Sequence, residues 1–445
     1  MKDSQKHNET RKSRRNFVKK TALATSGTLL LPNLQLSAMG NSIKNKKLKI
    51  ALVGCGGRGT GAAVQALNAD DNVELVAMAD SFEDRLTASL ANIVKELGES
   101  KKVNVKDKNR FVGFDAAVKA IDLADVVILA TPPGFRPQHF EYAISQGKHV
   151  FMEKPVATDV PGVRKVLAAA KMAKKKELNV VVGLQRHYQD SYLLAMDHLK
   201  NDKIGKIVSG QVYWNSAGVW VRERQPEQTE LEYQMRNWYY FNWLCGDHIL
   251  EQHIHNIDVA NWFIGEYPIS AQGMGGRQVR NGKDHGEIFD HHFVEFTYPS
   301  GAVIASQCRH QPDTMRKVSE FFQGTKGTLA TAGDNVEIKD WSGEVLESHR
   351  GKDDPNPYQV EHIKLFESIR NGGVIADAEN GAKSTMTAIL GRMATYSGKV
   401  IKWDEALASN IALVPENLTW NSKAPVQPNE AGTYEIPTPG KSIVI

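Results

Sequence analysis

The chain has 445 residues, 41% hydrophobic and 24% charged, a globular composition long enough for two or three domains, which excludes a single small module or a fibrous chain. Its 55 Lys+Arg against 51 Asp+Glu leave a formal +4, and that excess sits at the N-terminus: residues 1–38 hold eight basic and two acidic side chains, the remainder 47 basic and 49 acidic. A net-negative body argues against nucleic acid as a partner.

The first 38 residues run from a basic start through Arg14-Arg15-Asn16-Phe17 and a mildly apolar run, Thr21 to Leu31, to Leu36-Ser37-Ala38. That order is the layout of a cleaved secretory signal, and the paired arginines before Phe17 resemble the twin-arginine type. Residues 1–38 are expected to be a signal peptide and the mature protein to be periplasmic. No other stretch reaches the roughly 18 apolar residues of a membrane span, so no stable membrane insertion is expected. Cys55, Cys245 and Cys308 show no paired spacing and indicate no disulfide framework.

Leu48 to Val53 reads as a buried parallel strand, followed by Gly54-Cys55-Gly56-Gly57-Arg58-Gly59, a helical pattern from Ala62, a strand from Val73 to Ala79, and Asp80. Strand, glycines, helix, strand and terminal acid together form a dinucleotide-binding fingerprint. Gly54 permits the tight turn, Gly56 admits the pyrophosphate, and Gly59 allows close helix packing, while the helix N-terminus holds the phosphates. Asp80 would accept from the adenosine ribose hydroxyls and repel a 2′-phosphate, which favours NAD and leaves NADP as the alternative.

Further alternation follows: a strand over Ala124 to Ala130, a helix over Phe135 to Gln146 closed by Gly147, a strand over His149 to Met152, a helix from Ala157 to Ala173 and a strand over Val180 to Leu184. Thr131-Pro132-Pro133 and Glu153-Lys154-Pro155 follow strand ends and so should border the cofactor, with His139 close by. The second half alternates as antiparallel strands at Ile207 to Asn215, 289–298, 302–309 and 317–323. One long helix is expected over Ile249 to Phe263 and a late one over Glu379 to Ser397. The fold class is α/β: an N-terminal Rossmann domain over 47–170, then a C-terminal α/β domain over 171–405 with a large, mostly antiparallel open sheet, and an extension over 406–445.

The glycine loop, Ala130-Thr131-Pro132, Glu153-Lys154-Pro155 and Glu251-x-x-x-His255-x-x-Asp258, in this order, resemble the glucose-fructose oxidoreductase and inositol dehydrogenase (Gfo/Idh/MocA) family, which includes glycoside hydrolase family 109. The resemblance implies bound NAD or NADP, chemistry on sugars or cyclitols, and association as a homodimer or homotetramer. It places Lys154 beside nicotinamide and substrate hydroxyl and makes His255 the acid/base. Glu251 stands where the family usually has Asp, and His253 where it has Gly; a carboxylate at 251 shares a helix face with 255 and could orient it or bind a sugar hydroxyl. The cofactor set is Gly54, Gly56, Gly57, Arg58, Gly59, Asp80, Thr131, Pro132, His139, Glu153 and Lys154. An unperturbed histidine has the pKa that proton transfer near neutrality requires, so His255 is the expected base with Lys154 as electrostatic partner, and the reverse stays open.

Candidate substrate contacts are Gln185, Arg186 and His187 in the loop after the strand at 180, Tyr213 and Trp238 in an aromatic and arginine-rich stretch suited to carbohydrate rings, and His248. His248, Glu251 and His255 share a helical face at metal-ligand spacing, with one of His291 and His292 able to join, yet hydrogen-bonding or sugar-contacting histidines account better for them and no metal is expected. An exported enzyme meets no soluble nicotinamide pool, so the cofactor is expected to stay bound and be recycled. Two enzymatic outcomes follow: an oxidoreductase on a sugar or glycoside hydroxyl, or a glycosidase that oxidises transiently and eliminates the aglycone. A non-catalytic sugar or nucleotide binder is the third reading.

Overall fold

A computed structural model describes residues 44–98 and 100–445; the expected signal peptide lies outside the described residues. Six strands form a parallel sheet, β1 (Leu48–Val53), β2 (Val73–Asp80), β3 (Arg110–Val112), β4 (Val126–Leu129), β5 (His149–Met152) and β6 (Val180–Val182), in the order β3-β2-β1-β4-β5-β6. Its central strands are buried on both faces, as unbroken apolar runs such as Val126–Leu129 require. Strand order reverses between β1 and β4, and the carboxyl ends there face a crevice, the place where open α/β sheets bind ligands.

Nine strands form the second sheet: β7 (Ile207–Ser216), β8 (Ser270–Gly276), β9 (His291–Thr297), β10 (Val303–His310), β11 (Lys317–Gly324), β12 (Gly327–Ala332), β13 (Asn335–Asp340), β14 (Val345–Arg350) and β15 (Ile401–Lys402). All neighbours pair antiparallel except β7 with β10, which run parallel. The alternating exposure along β9 and β10 marks one face packed on the core and one turned outward. A Rossmann-like parallel sheet is thus joined to a mostly antiparallel one.

Three features depart from the sequence-based expectation. Strand β6 carries the first sheet to Val182, past the boundary expected at residue 170, because it pairs with β5. The expected helix over Ile249 to Phe263 is two helices, His248–Glu251 and Ile254–Ile264, broken at Gln252 and His253. A helix not anticipated, Pro357–Asn371, returns to the parallel sheet and buries Leu365, Phe366 and Ile369 with Ile50, Leu52 and Ala62.

Residues 408–445 form no helix or strand, yet Ala424 and Tyr434 are buried with the aromatic cluster around Tyr233 and Trp243. All three cysteines are free and buried. Among the described residues no helix is long and apolar enough to cross a membrane.

Candidate functional site

The glycine loop divides by what its members would meet. A Cβ on Gly54, whose φ is +96°, would lie 2.4 Å from Thr131 N, and one on Gly59 would lie 1.9 Å from Gly54 O, so both are demanded by packing. A Cβ on Gly56 or Gly57 would meet nothing within 4 Å. Those two leave open ground above the N-terminus of the helix Gly57–Ala69, which has no side-chain cap and no acidic residue in its first turn. Unclaimed backbone N–H groups at a helix start attract phosphate.

A cleft of about 510 Å³ opens there, and its wall includes Asp80, Thr131, Pro132 and His139 together with the five loop residues Gly54, Gly56, Gly57, Arg58 and Gly59. The Asp80 carboxylate accepts from Cys55 N at 2.7 Å and Phe82 N at 2.9 Å, which fixes it and leaves lone pairs free for a ribose diol. Burial holds its pKa above the usual carboxylate value despite those bonds. Open glycine floor, uncapped helix and oriented acid fit a dinucleotide. His139 is buried; its Nδ1 lies 3.3 Å from Thr131 Oγ1, and burial with the neighbouring Arg136 pushes its pKa down to about 4, so the ring is neutral. Arg136 ties the two cofactor loops together by donating to Thr131 O and Pro155 O.

Glu153 and Lys154, also expected at the cofactor, are not in the wall of this cleft. Arg58 turns its guanidinium onto Glu153 and, at 3.1 Å, onto Glu361, so Glu153 is held as a buried counter-ion. Unanticipated wall residues are Phe82, Phe114, Trp220 and Arg236, which belong to no motif. The aromatic density between Trp214 and Trp243 was the available signal for the last two, and it pointed to substrate: Trp238 instead lines the cofactor cleft, edge-on to Trp220 at 5.8 Å.

Of the three expected catalytic residues, Lys154 and Glu251 are in contact, and none of the three is in the cleft wall. Lys154 Nζ donates to Glu251 O at 2.5 Å and lies 3.3 Å from Glu251 Oε1, each side chain 12% exposed. The helix break turns Glu251 to Lys154 rather than to His255, so it does not serve as the orienter expected from their four-residue spacing. Burial raises the Glu251 pKa, opposed by the Lys154 charge. His255 is buried, stacks on Trp214 with 6.0 Å between centroids, and leaves Nδ1 without a hydrogen bond. Burial, with the charges of Lys154, Arg186 and Arg58, pulls its pKa well below the ordinary value, which corrects the expectation of an unperturbed imidazole.

Several expected substrate contacts are committed elsewhere. Arg186 is buried against Glu320, which also accepts from Tyr192 OH at 3.0 Å, from Asn256 and from Thr331. His187 Nε2 lies 2.7 Å from Asp258 Oδ2 and its ring stacks on Trp262. Tyr213 faces away from His255, because alternate residues of a strand point to opposite faces and its neighbour Trp214 takes the inner position; the Lys317 ammonium lies 3.8 Å over its ring. Gln185 keeps a buried Oε1 without a partner and is the free acceptor of that loop.

His248 is fully buried, its Nδ1 at 2.8 Å from Asp247 Oδ1. Asp247, His248 and His292 bring ligand-type atoms within 4.8 Å of one another, a different trio from the one the helical spacing suggested. Hydrogen bonds account for its carboxylate: Asp247 accepts from His248 N, Phe289 N at 2.9 Å and Tyr396 OH at 2.5 Å. His253 points away from the site and bonds Ser306 Oγ at 2.7 Å.

Residues 48–184 match the oxidoreductase family with NAD-binding Rossmann fold (Gfo/Idh/MocA), and residues 192–330 match the C-terminal domain of the same family. A glycosyl hydrolase family 109 protein of Shewanella baltica is 23% identical over 244 residues, 51% of this chain and 49% of its own, so the chain spans about half the length of that relative. The inositol 2-dehydrogenase of Rhizobium meliloti is 25% identical over 285 residues, 64% of this chain and 75% of its own. Among solved structures, an aldose-aldose oxidoreductase from Caulobacter crescentus, complexed with glycerol, superposes with a TM-score of 0.63 at 19% identity, over 80% of this chain and 100% of that one. A levoglucosan dehydrogenase complexed with NADH and levoglucosan does so with 0.62 at 14%, over 80% and 99%. Both family domains, in the order and with the two sheets described above, make the chain a member of the Gfo/Idh/MocA oxidoreductase family with a NAD-binding Rossmann domain.

Proposed function

We propose that the protein is an exported oxidoreductase that acts on a hydroxyl of a sugar or glycoside and keeps its NAD through the cycle. The observation that carries this reading is the Lys154–Glu251 pair together with the buried His255, whose Nδ1 has no hydrogen-bond partner and whose pKa the Lys154 charge helps to lower; Lys154 follows Glu153, which Arg58 of the cleft wall holds. Export rests on the order of charge, apolar run and small residues in positions 1–38.

Gly56, Gly57 and the helix start would hold the pyrophosphate, Asp80 the adenosine ribose, and Thr131 and His139 the route toward the nicotinamide. NAD, when bound, supplies the acceptor for the hydride that leaves the substrate carbon. His255, neutral by virtue of its surroundings, takes the hydroxyl proton at an imidazole nitrogen, and the Lys154 ammonium stabilises the developing alkoxide. Glu251 holds Lys154 in place through its carbonyl and carboxylate oxygens. A second carbonyl sugar would be reduced in its turn, receiving its proton from His255, so that no external nicotinamide would be consumed.

A second reading is favoured by the similarity to glycosyl hydrolase family 109 proteins. Oxidation at a ring carbon acidifies the neighbouring C–H; loss of that proton expels the aglycone, water adds to the resulting enone, and the carbonyl is reduced again, with no net redox change. The purified protein should absorb near the nicotinamide band as isolated. Incubation with aryl glycosides and no added acceptor separates the two readings: phenol released without net NADH supports the glycosidase, whereas bound cofactor reduced by free sugars with no phenol supports the oxidoreductase. Protein that carries no nicotinamide and acquires no activity when supplied with it would refute both.

A further inference from the structure

The adenosine end of the cleft is marked by Asp80, and the side chain two residues on, Phe82, forms part of its wall. Phe82 is gripped from two directions. The Arg236 guanidinium carbon lies 4.0 Å over the ring, anchored by two 3.1 Å bonds to Asp84, two residues beyond Phe82. Trp420 packs on the same ring at 5.3 Å and also on Phe114, a second wall residue, at 4.7 Å. Arg236 comes from the C-terminal half and Trp420 from the segment 408–445, so three parts of the chain that are distant in sequence converge on one phenylalanine.

That segment lies outside both family-matched regions and has no helix or strand of its own. An irregular stretch of this length is uncommon in a compact domain unless it has a task. It is tied down along its course: Leu413 N donates to Asp159 at 2.7 Å, Gln234 Nε2 to Val426 O at 2.6 Å, Tyr434 OH to Glu230 at 2.7 Å and Gly440 N to Ser397 O at 2.8 Å. Trp420 therefore stands on a fixed strap, not on a loose tail.

We propose that Arg236 and Trp420 form a clasp on Phe82 that closes the adenosine end of the cleft and sets how long the dinucleotide stays bound. The clasp deepens the reading of a retained, recycled cofactor and rests on it. A wall residue held by two side chains from distant parts of the chain is freed only when both Trp420 and Arg236 give way, so their effects must be coupled through the shared ring.

The test uses the full chain loaded with NADH, its release followed by loss of protein-to-NADH energy transfer when an NADH-oxidising scavenger is added. Trp420→Ala and Arg236→Ala should each release NADH about tenfold faster or more, a loss of about 1.4 kcal/mol for each tenfold. The double variant should release less fast than the product of the two effects. Trp420→Phe and Arg236→Lys keep a ring and a charge respectively and guard against failure to fold; Trp420→Phe should stay near wild type, and Arg236→Lys should lose most of the effect because a lysine has no planar face to lay on Phe82. Unchanged release in Trp420→Ala at an unchanged melting temperature, or strictly multiplicative effects, would overturn the clasp. Wild-type protein that sheds NADH within seconds would instead sink the recycling reading, and the clasp would still stand or fall on the ratio of rates between variants.

Discussion

Lys154, at the carboxyl end of β5 in the parallel sheet, reaches Glu251, at the broken helix of the C-terminal half, with 2.5 Å from Nζ to the carbonyl oxygen and 3.3 Å to Oε1. The bond to the carbonyl survives any change of the Glu251 side chain, so Glu251→Gln should leave Lys154 roughly in place and remove only the charge. We expect kcat to fall about 10- to 100-fold with NADH affinity unchanged, against about 10²- to 10⁴-fold for Lys154→Ala. Steady-state kinetics with NADH titration checks this, and equal losses in the two variants would contradict a positioning role for Glu251.

The acid limb of the pH–rate profile for hydroxyl oxidation should lie well below pH 6.5. His255 accepts a proton only while neutral, and its depressed pKa keeps it neutral down to that limb. Lys154→Met removes a positive neighbour that contributes to the depression, and the residual activity should then show a limb moved up toward 6.5. A limb that stays put in this variant would separate the two groups electrostatically.

Gly56→Ala and Gly59→Ala should divide binding from folding. Gly56 faces open ground, so alanine leaves the melting temperature unchanged and crowds the pyrophosphate, weakening NADH binding by about tenfold, or about 1.4 kcal/mol. Gly59 abuts Gly54 O, so alanine destabilises the fold by roughly 1–3 kcal/mol or more through overpacking. Thermal unfolding and NADH titration of both variants settle the contrast.

These glycines show how much of the cradle was legible. The turn, the open floor and Asp80 lie within one βαβ unit, where local spacing dictates geometry. The helix break at Gln252 and His253 was hidden because Ile249, Leu250, Ile254 and Ile257 keep an apolar helical rhythm straight through it, and all four are buried. Alternation told that Tyr213 and Trp214 face opposite ways but not which faces His255. The contacts of Phe82 with Arg236 and Trp420 carry no local signal, since the chain brings them together only through tertiary packing.

Arg186→Met should destabilise the protein by about 3–5 kcal/mol, because it strands the buried Glu320 carboxylate. NADH binding by the fraction still folded should be normal. Urea unfolding gives the first quantity; a stable variant with raised KM would return Arg186 to the substrate.

Glu287 gives a pH dependence of stability. It is buried, and its pKa is pushed up to about 8 even though Oε1 accepts from Asn242 N at 2.8 Å. Asp247 adds to the rise, while Arg277 opposes it. Between its ordinary value of 4.5 and about 8 the unfolded chain releases the proton and the folded one keeps it, so stability is full below pH 4.5 and is lost as pH rises toward 8, at up to about 1.4 kcal/mol per pH unit. Glu287→Gln should flatten that slope, measured as urea midpoints at pH 5 and pH 8.

The three thiols are each buried, and each is held in its protonated form by a pKa raised through burial. Only a thiolate attacks disulfides or is readily oxidised, so these cysteines behave as small apolar fillers. The fold draws no cross-link from its surroundings and offers them no nucleophile. A chain built this way can finish folding where thiols are kept reduced and then work unaltered where they are oxidised.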